Sequence, residues 1–434
     1  MRVVIVGAGI GGLVTALRLH RAGIACVVIE QSLRLREVGV GINLLPHAVR
    51  VLAELDLLDS LDATGVRTRE LVYLHRLGPE ILHRPCGIDA GHDLPQLSIH
   101  RGRLQGVLLQ AVSERIGPAA VCAGRRLVAF DQDGQGVRAR VVDRRTGRRE
   151  TYAGDVLVGA DGIHSTVRSL LFPTEGAPRW NGVLMWRGAT EWHRFATGRS
   201  MLVAGGTAAK LVVYPIGAGT RATRALTNWA VCLRTGKPGD PLPARQDWSR
   251  PADRARVEGE LGRFRLPMLD HVGLVRATDA CFEFPMCDRD PLPFWSRGGV
   301  TLLGDAAHPM YPMGSNGAGQ AVLDAASLAT ALARRGDPVR ALHEYEGARR
   351  LVTSDIVLRN RVGGPEGVID EVERRAPAGF ADVSDVIDPA ELAAMVDGYT
   401  RASSASTDRA GRALRSLVVS TSRLGLRRRG GRGR

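Results

Sequence analysis

Lysine is almost missing from this chain. Of its 59 basic residues only Lys210 and Lys237 are lysines, so the formal net charge of +14 is an arginine surplus. Aromatic residues are scarce too, at 5%. A nucleic-acid-binding face interleaves basic with aromatic side chains, whereas Arg427, Arg428, Arg429, Arg432 and Arg434 are interleaved with glycine. That pattern points to a disordered basic end and no nucleic-acid partner, leaving the surplus charge to attract anionic small molecules. The six cysteines (Cys26, Cys86, Cys122, Cys232, Cys281, Cys287) form no C-x-x-C pair and no metal-like spacing with histidine. Reduced, buried thiols with no metal site and no disulfide framework are the reading. No run of about 18 apolar residues is available to span a bilayer, and the apolar N-terminus runs on without a small-residue cleavage site. The expectation is a cytoplasmic protein with no membrane partner.

What is present begins at the first residue. Residues 1–30 alternate an apolar strand, a glycine turn, a helix and a second strand that ends on Glu30. Gly7, Gly9 and Gly12 stand in G-x-G-x-x-G spacing within GAGIGG, with Gly11 in the same turn. The first permits a tight turn, the second lets backbone approach a pyrophosphate, and the third lets helix and strand pack closely. N–H groups opening the helix then point at phosphate. A carboxylate at Glu30 accepts hydrogen bonds from a ribose 2′-OH and repels a 2′-phosphate, so this site suits FAD or NAD and not NADP.

A chain of 434 residues exceeds what one core usually organises, and two domains are expected. Alternating runs such as Lys210 to Pro215 and Trp229 to Leu233 predict a mostly antiparallel sheet inserted into the nucleotide-binding domain. The pattern divides into a first nucleotide-binding piece over 1–70, sheet strands over 71–99, a second piece over 100–178, the main sheet over 179–288, and a third piece over 289–350. A helical region over 351–420 and a basic disordered tail over 421–434 complete the division. The fold class is α/β: a discontinuous Rossmann-like domain, an inserted antiparallel sheet and C-terminal helices.

Two further motifs narrow the ligand. A strand from Asp155 ends in the turn Asp161-Gly-Ile-His-Ser-Thr-Val-Arg168, and a strand from Val300 ends in Gly304-Asp305. A carboxylate at Asp305 can accept from ribityl hydroxyls. Behind it, Gly314-Ser-Asn-Gly-Ala-Gly319 leads into a long helix whose N-terminus favours negative charge on a reduced flavin. With GAGIGG at 7–12, D-G-x-x-S-x-x-R at 161–168 and GDAAHPMYPMGSNGAGQ at 304–320, the first ~400 residues resemble the class A, single-component FAD-dependent aromatic hydroxylases. MWRG at 185–188, PMYPMGSNGAGQAVLDA at 309–325 and VIDEVERRAPAGF at 368–380 look like the salicylate-hydroxylase-like and phenazine-1-carboxylate monooxygenase-like subgroup.

The resemblance implies roles residue by residue. Glu30 is the adenosine-ribose ligand, and Arg103 reaches the cofactor's phosphate region, with Arg101 an equally placed competitor. Asp161 and Arg168 belong to a turn serving FAD and a transient nicotinamide, and Asp305 holds the ribityl chain. Pro312 approaches the reactive flavin edge, and the backbone of Gly317 and Ala318 faces the pyrimidine side. Trp186, Arg187, Tyr214 and Met313 are candidate substrate walls, with Arg187 and Tyr214 also counted with Pro312 as catalytic and Arg187 meeting a carboxylate. The implied reaction takes NADPH or NADH as a passing reductant and O2 as co-substrate, and hydroxylates a small aromatic, acidic or phenolic molecule through a flavin C4a-hydroperoxide. The cofactor carries the difficult chemistry, which is consistent with the lack of a metal or a Ser/His/Asp constellation. A flavin oxidase or reductase shares these motifs without oxygen insertion, and a plain NAD dehydrogenase shares only the first. A monomer and a homodimer are both compatible with the sequence.

Overall fold

The computed structural model describes residues 1–35, 40–244, 247, 250–334 and 336–398. The basic tail and the end of the expected helical region lie outside the described residues. The nucleotide-binding part is built on five parallel strands in the spatial order Val300–Leu302, Val156–Gly159, Arg2–Val6, Ala25–Glu30 and Val121–Ala123. Val3, Val4, Ile5, Leu157, Val158, Val300 and Leu302 are fully buried, as strands covered on both faces require. The helices Ile10–Arg21, Arg101–Arg115 and Gly317–Arg334 share that core through Leu13, Leu17, Leu104, Leu108, Val322 and Leu328. A three-stranded antiparallel meander, Arg125–Asp133, Gly136–Asp143 and Arg149–Gly154, hangs from it.

The second part is a seven-stranded sheet ordered Cys281–Asp288, Arg179–His193, Arg224–Arg234, Ala209–Ala218, Ser200–Ala204, Glu70–Leu74 and Glu80–Pro85. Every pairing is antiparallel except Ser200–Ala204 against Glu70–Leu74. Because side chains alternate along a strand, the sheet has two different faces. One carries Trp186, Trp229, Leu211, Val213 and Leu233 and packs with Val257, Leu274 and Val275 of two short helices, Arg254–Glu260 and His271–Arg276. The other carries Met185, Cys232, Phe284 and Met286 and meets Tyr311 and Met313 of the nucleotide-binding part.

Two boundaries differ from the sequence expectation. Gln96–His100 leaves the large sheet and pairs with Gly41–Leu44 and Val66–Thr68, forming a small sheet between the two parts. Residues 71–99 are therefore split between two sheets, a distinction of pairing partners that local periodicity does not carry. The second boundary, at 350, falls inside one continuous helix, Pro338–Arg361. Its Asp337 N-cap accepts from Val339 N and Arg340 N, and the helix runs on through Gly347 without ending. No helix among the described residues is long and apolar enough to cross a membrane.

Candidate active site

The glycine turn after the first strand is shaped by steric necessity. Gly7 has φ of +105°, and a Cβ there would strike the Ala160 carbonyl. A Cβ on Gly11 would lie 2.7 Å from Leu303, and one on Gly12 would strike the Gly7 carbonyl. Gly9 differs: nothing lies within 4 Å of its missing Cβ. Three glycines close the turn and one leaves the ground before the helix open, the cradle a pyrophosphate needs. Glu30 fixes the same turn by accepting from Ala8 N (2.9 Å) and Ser32 N (2.7 Å). A carboxylate has about four acceptor sites, so ribose hydroxyls can be added to these two bonds. Gln105, which the sequence reading passed over, donates to the Ala8 carbonyl at 2.7 Å and props the turn from the helix Arg101–Arg115.

Asp305 lies at the end of the strand Val300–Leu302, surrounded by protein yet open to solvent, as a group on the floor of a cleft is. Burial raises its pKa, while His308 and Arg101 pull it down. Beneath it lies a buried ionic network that the sequence reading also missed. Asp324 accepts from Gly304 N (3.0 Å), His308 Nε2 (2.6 Å) and Arg349 Nε (2.7 Å), and Arg349 reaches Gln320 Oε1 at 2.5 Å. Burial alone would raise the Asp324 carboxyl; His308 and Arg349 outweigh it and hold the group at about 2. The signal was a lone aspartate on the apolar side of a long helix. His308 is therefore a structural partner of Asp324, which sets the conformation of the Gly304-Asp305 turn.

Asp161 and Arg168 have other places than expected. Asp161 gives one oxygen to Ser165 Oγ (2.5 Å) and the other to Thr166 N (2.6 Å) and Val167 N (3.4 Å), capping its own helix. Arg168 is 1% exposed. It forms a bidentate pair with Glu175 and donates to the carbonyls of Ala306, Ala307 and Asp290. With those bonds made its guanidinium is a strut under the Asp305 turn, which corrects its assignment as a cofactor contact.

The two helix-opening arginines also separate. Residues two apart on an α-helix point to nearly opposite sides. Arg103 reaches toward the inserted sheet, where a Cβ on Gly217 would lie 2.8 Å from Nη1. Arg101 is the one that senses Asp305; burial lowers its pKa and Asp305 opposes that. Of the two, Arg101 and not Arg103 is the one under the influence of Asp305.

Across the cleft, Arg187 stands on the inner face of the sheet, 4% exposed, with its guanidinium 5.6 Å from the Phe284 ring centre. Burial, and then the charge of Arg101, press its pKa down to about 9. A guanidinium keeps its proton in proteins, so Arg187 brings a positive charge to this face of the sheet. Tyr214 shares the pocket: burial raises its phenol and Arg187 draws it down. It packs with Asn228 around Gly41, whose N–H donates to Asn228 Oδ1 at 2.8 Å. Trp186 does not join them. One residue before Arg187 on the same strand, it points to the opposite face, where its Nε1 donates to Glu283 Oε2 at 3.0 Å and Arg256 covers its ring. Strand alternation forbids neighbours 186 and 187 from lining one pocket, and Trp186 is core.

Pro312 is exposed and leads into a tight turn, Met313–Ser315, with Gly314 at φ +64° and Ser315 at φ +57°. Met313 is buried against Met185, Cys232 and Met286. Gly317 opens an 18-residue helix, and the nearest atom to its missing Cβ is 4.0 Å away. Gly9, Glu30, Asp305, Gly317 and Ala318 are thus carried by strands and helices of the one parallel-sheet part.

Comparison with known proteins decides the family. The family described as FAD binding domain matches residues 1–254 and 290–360, well over half of the chain. The phenazine 1,6-dicarboxylic acid hydroxylase PhzS of Lysobacter antibioticus is 44% identical over 363 residues, 83% of this chain and 89% of that protein. The chain belongs to the FAD-dependent aromatic hydroxylases. Another relative in the family, 3-hydroxybenzoate 6-hydroxylase 1 of Aquipseudomonas alcaligenes, is 31% identical over 377 residues, 83% of this chain and 87% of that protein. HpxO of Klebsiella pneumoniae, solved with FAD and uric acid, shares the fold at a TM-score of 0.72 and 23% identity, over 92% of this chain and 97% of that one. This hydroxylase is accordingly a flavoprotein monooxygenase, and the open ground at Gly9, the Glu30 turn and the Asp305 floor fit the dinucleotide it takes.

Proposed function

We propose that the protein uses NADPH or NADH and O2 to hydroxylate an aromatic acid bound between Arg187 and the Pro312 turn. The observation that supports this reading is Arg187, 4% exposed on the inner face of the sheet beside the Phe284 ring, whose pKa burial and the charge of Arg101 press down. A flat acid placed over Phe284 with its carboxylate on Arg187 relieves that pressure, and a guanidinium meets a carboxylate in a two-bond fork. Bound FAD supplies the redox chemistry, passing electrons from the nicotinamide to dioxygen.

The chain's residues do the rest. Gly9 and the helix opening at Ile10 receive the pyrophosphate, Glu30 the adenosine ribose, and Asp305 the ribityl hydroxyls. Arg101 balances Asp305 and the phosphates, while the Gly317 helix end supports negative charge on the flavin's pyrimidine side. Arg168 and the Asp324 network fix the turn that aims Asp305. Met185, Phe284 and Met286 keep water away from the reacting ring, which limits loss of oxidising equivalents as peroxide. Phenazine- and benzoate-type acids are the substrates to try, because relatives in the family are named for them.

The test is NAD(P)H oxidation by the FAD-loaded protein across a panel of aromatic acids, under isotopically labelled O2. Substrate-dependent oxidation with label in the product is expected. Stoichiometric peroxide with unlabelled product for every acid would overturn oxygen insertion in favour of an oxidase.

A further inference from the structure

The helix Gly367–Arg375 is fastened to the inserted sheet by carboxylates at positions 366, 370 and 373, a spacing that sets them on one side of a helix. Asp370 accepts from Thr207 N (2.7 Å) and Thr207 Oγ1 (3.0 Å), and Glu373 from Arg76 N (2.9 Å). Glu366, the residue before the helix, pairs with the ammonium of Lys210. Its other oxygen goes further and accepts from Gly314 N at 3.4 Å, in the turn after Pro312. Glu366 therefore joins three elements at one point: the sheet, the C-terminal helix and the nucleotide-binding part.

Both members of this pair are buried. Met185, Cys232 and Lys210 stand abreast on three adjacent strands, which puts Lys210 on the face that meets Tyr311 and Met313. A buried ion pair adds little stability over apolar residues of similar size, so one of the chain's two lysines calls for another account here. The turn supplies it. Gly314 and Ser315 both have left-handed backbone, at φ +64° and +57°, and for a serine that conformation is disfavoured. Such backbone persists where its surroundings over-determine it. Asn360 Nδ2 donates to the Tyr311 carbonyl at 2.8 Å, Asn316 Nδ2 to the Gly314 carbonyl at 3.1 Å, and Asn43 Nδ2 to Ser315 Oγ at 3.5 Å. Those contacts are neutral, whereas Glu366 brings a charge, and charge-assisted bonds are the stronger kind.

We propose that Glu366 is a positioning residue for the hydroxylation: with its charge balanced by Lys210, it holds the Gly314 amide and so fixes the turn that carries Pro312 and Met313. This rests on the reading above, in which an aromatic acid lies between Arg187 and that turn. The ion pair then sets the substrate-bearing sheet and the turn in one fixed relation. A loosened turn admits water to the reacting ring, and in the resulting leak NAD(P)H, H+ and O2 give NAD(P)+ and H2O2. The pair thus governs how much of the NAD(P)H consumed ends in product, and not how tightly the acid binds.

Two double variants test this. Lys210→Met with Glu366→Met removes both charges and the acceptor while leaving no unpaired ion. Lys210→Met with Glu366→Gln removes the charges and keeps an oxygen for Gly314 N. Hydrogen exchange of residues 311–316 in the FAD-loaded protein, read by mass spectrometry, should quicken about tenfold in the first and by no more than about twofold in the second. Product formed per NAD(P)H should fall about threefold or more in the first, with peroxide making up the difference, and be largely regained in the second, while KM for the acid stays within about twofold. Asp370→Ala frees the helix from Thr207 but not from the turn, and should lower the melting temperature without changing the product ratio.

Unchanged exchange or an unchanged product ratio in the folded first variant overturns the proposal. An equal loss of product in Asp370→Ala overturns it too, because helix docking alone would then be responsible. Rapid exchange of 311–316 in the unmodified protein overturns it even if the first variant does not fold. If the unmodified protein hydroxylates no acid, the aromatic-acid reading falls and the positioning role with it. If it hydroxylates one and the variants do not alter the ratio, only the positioning role falls.

Discussion

Arg168 and Arg187 are almost equally hidden, at 1% and 4% exposure, yet their surroundings differ in kind. Arg168, in the nucleotide-binding half, spends its guanidinium on Glu175 and three backbone carbonyls. Arg187, on the sheet's inner face, has another arginine acting on it and is pressed down to about 9. One arginine sits among carboxylate and carbonyl acceptors, the other beside a second positive charge and an aromatic ring. The carboxylates divide likewise: Asp161 and Asp324 are locked by their own turns and partners, while Asp305 is open to solvent.

The largest expected effect breaks the scaffold side. Arg168→Met leaves Glu175 with less compensation and frees three carbonyls, which should lower folding stability by about 3–5 kcal/mol. Denaturant unfolding followed by circular dichroism measures it, and an unchanged midpoint would remove Arg168 from its place as a strut. Arg187→Met tests the other side of the comparison. Its main effect should fall on binding, the dissociation constant for an aromatic acid rising about 100-fold, some 2.7 kcal/mol. A titration showing unaltered affinity would move the carboxylate partner elsewhere.

Next in size, Asp305→Ala should weaken FAD about tenfold by deleting an acceptor for ribityl hydroxyls. Arg101→Met should weaken FAD as well, and Arg103→Met should not, a contrast readable by ultrafiltration and flavin absorbance.

These contrasts also mark what the sequence could disclose. Glycine spacing, a strand-ending carboxylate and a strand-ending Gly-Asp are local patterns, so the nucleotide-binding scaffold was legible in the sequence, and Asp305 stands just past the strand end where the pattern puts it. Arg103 against Arg101 was a choice of helix phase, and the phase depends on where the helix begins, a boundary that one sequence defines poorly. Trp186 and Arg187 were both chosen for chemistry, although a period of two already placed them on opposite faces. Lys210 with Glu366, and Asp324 with Arg349, meet across long stretches of chain, and no local pattern announces such a meeting. Their only trace was an ionisable residue inside an apolar run.

The acid limb of stability tests the locked carboxylate. Asp324 is held at about 2, below its ordinary 3.8. A depressed carboxyl contributes stability above its unfolded value and loses it as pH falls through the folded one, so the loss should run from about pH 4 down to about pH 2. Melting temperature against pH should therefore fall more steeply in that window for the unmodified protein than for Asp324→Asn.

The smallest effect sharpens the difference between the two faces of one strand. Trp186→Phe removes the bond to Glu283 and some volume from the outer core, a loss of about 1–2 kcal/mol. Because Trp186 looks away from Arg187, the Michaelis constant for an aromatic acid should stay where it was. A shift in KM without a shift in melting temperature would return Trp186 to the pocket wall and put the register of the strand Arg179–His193 in question.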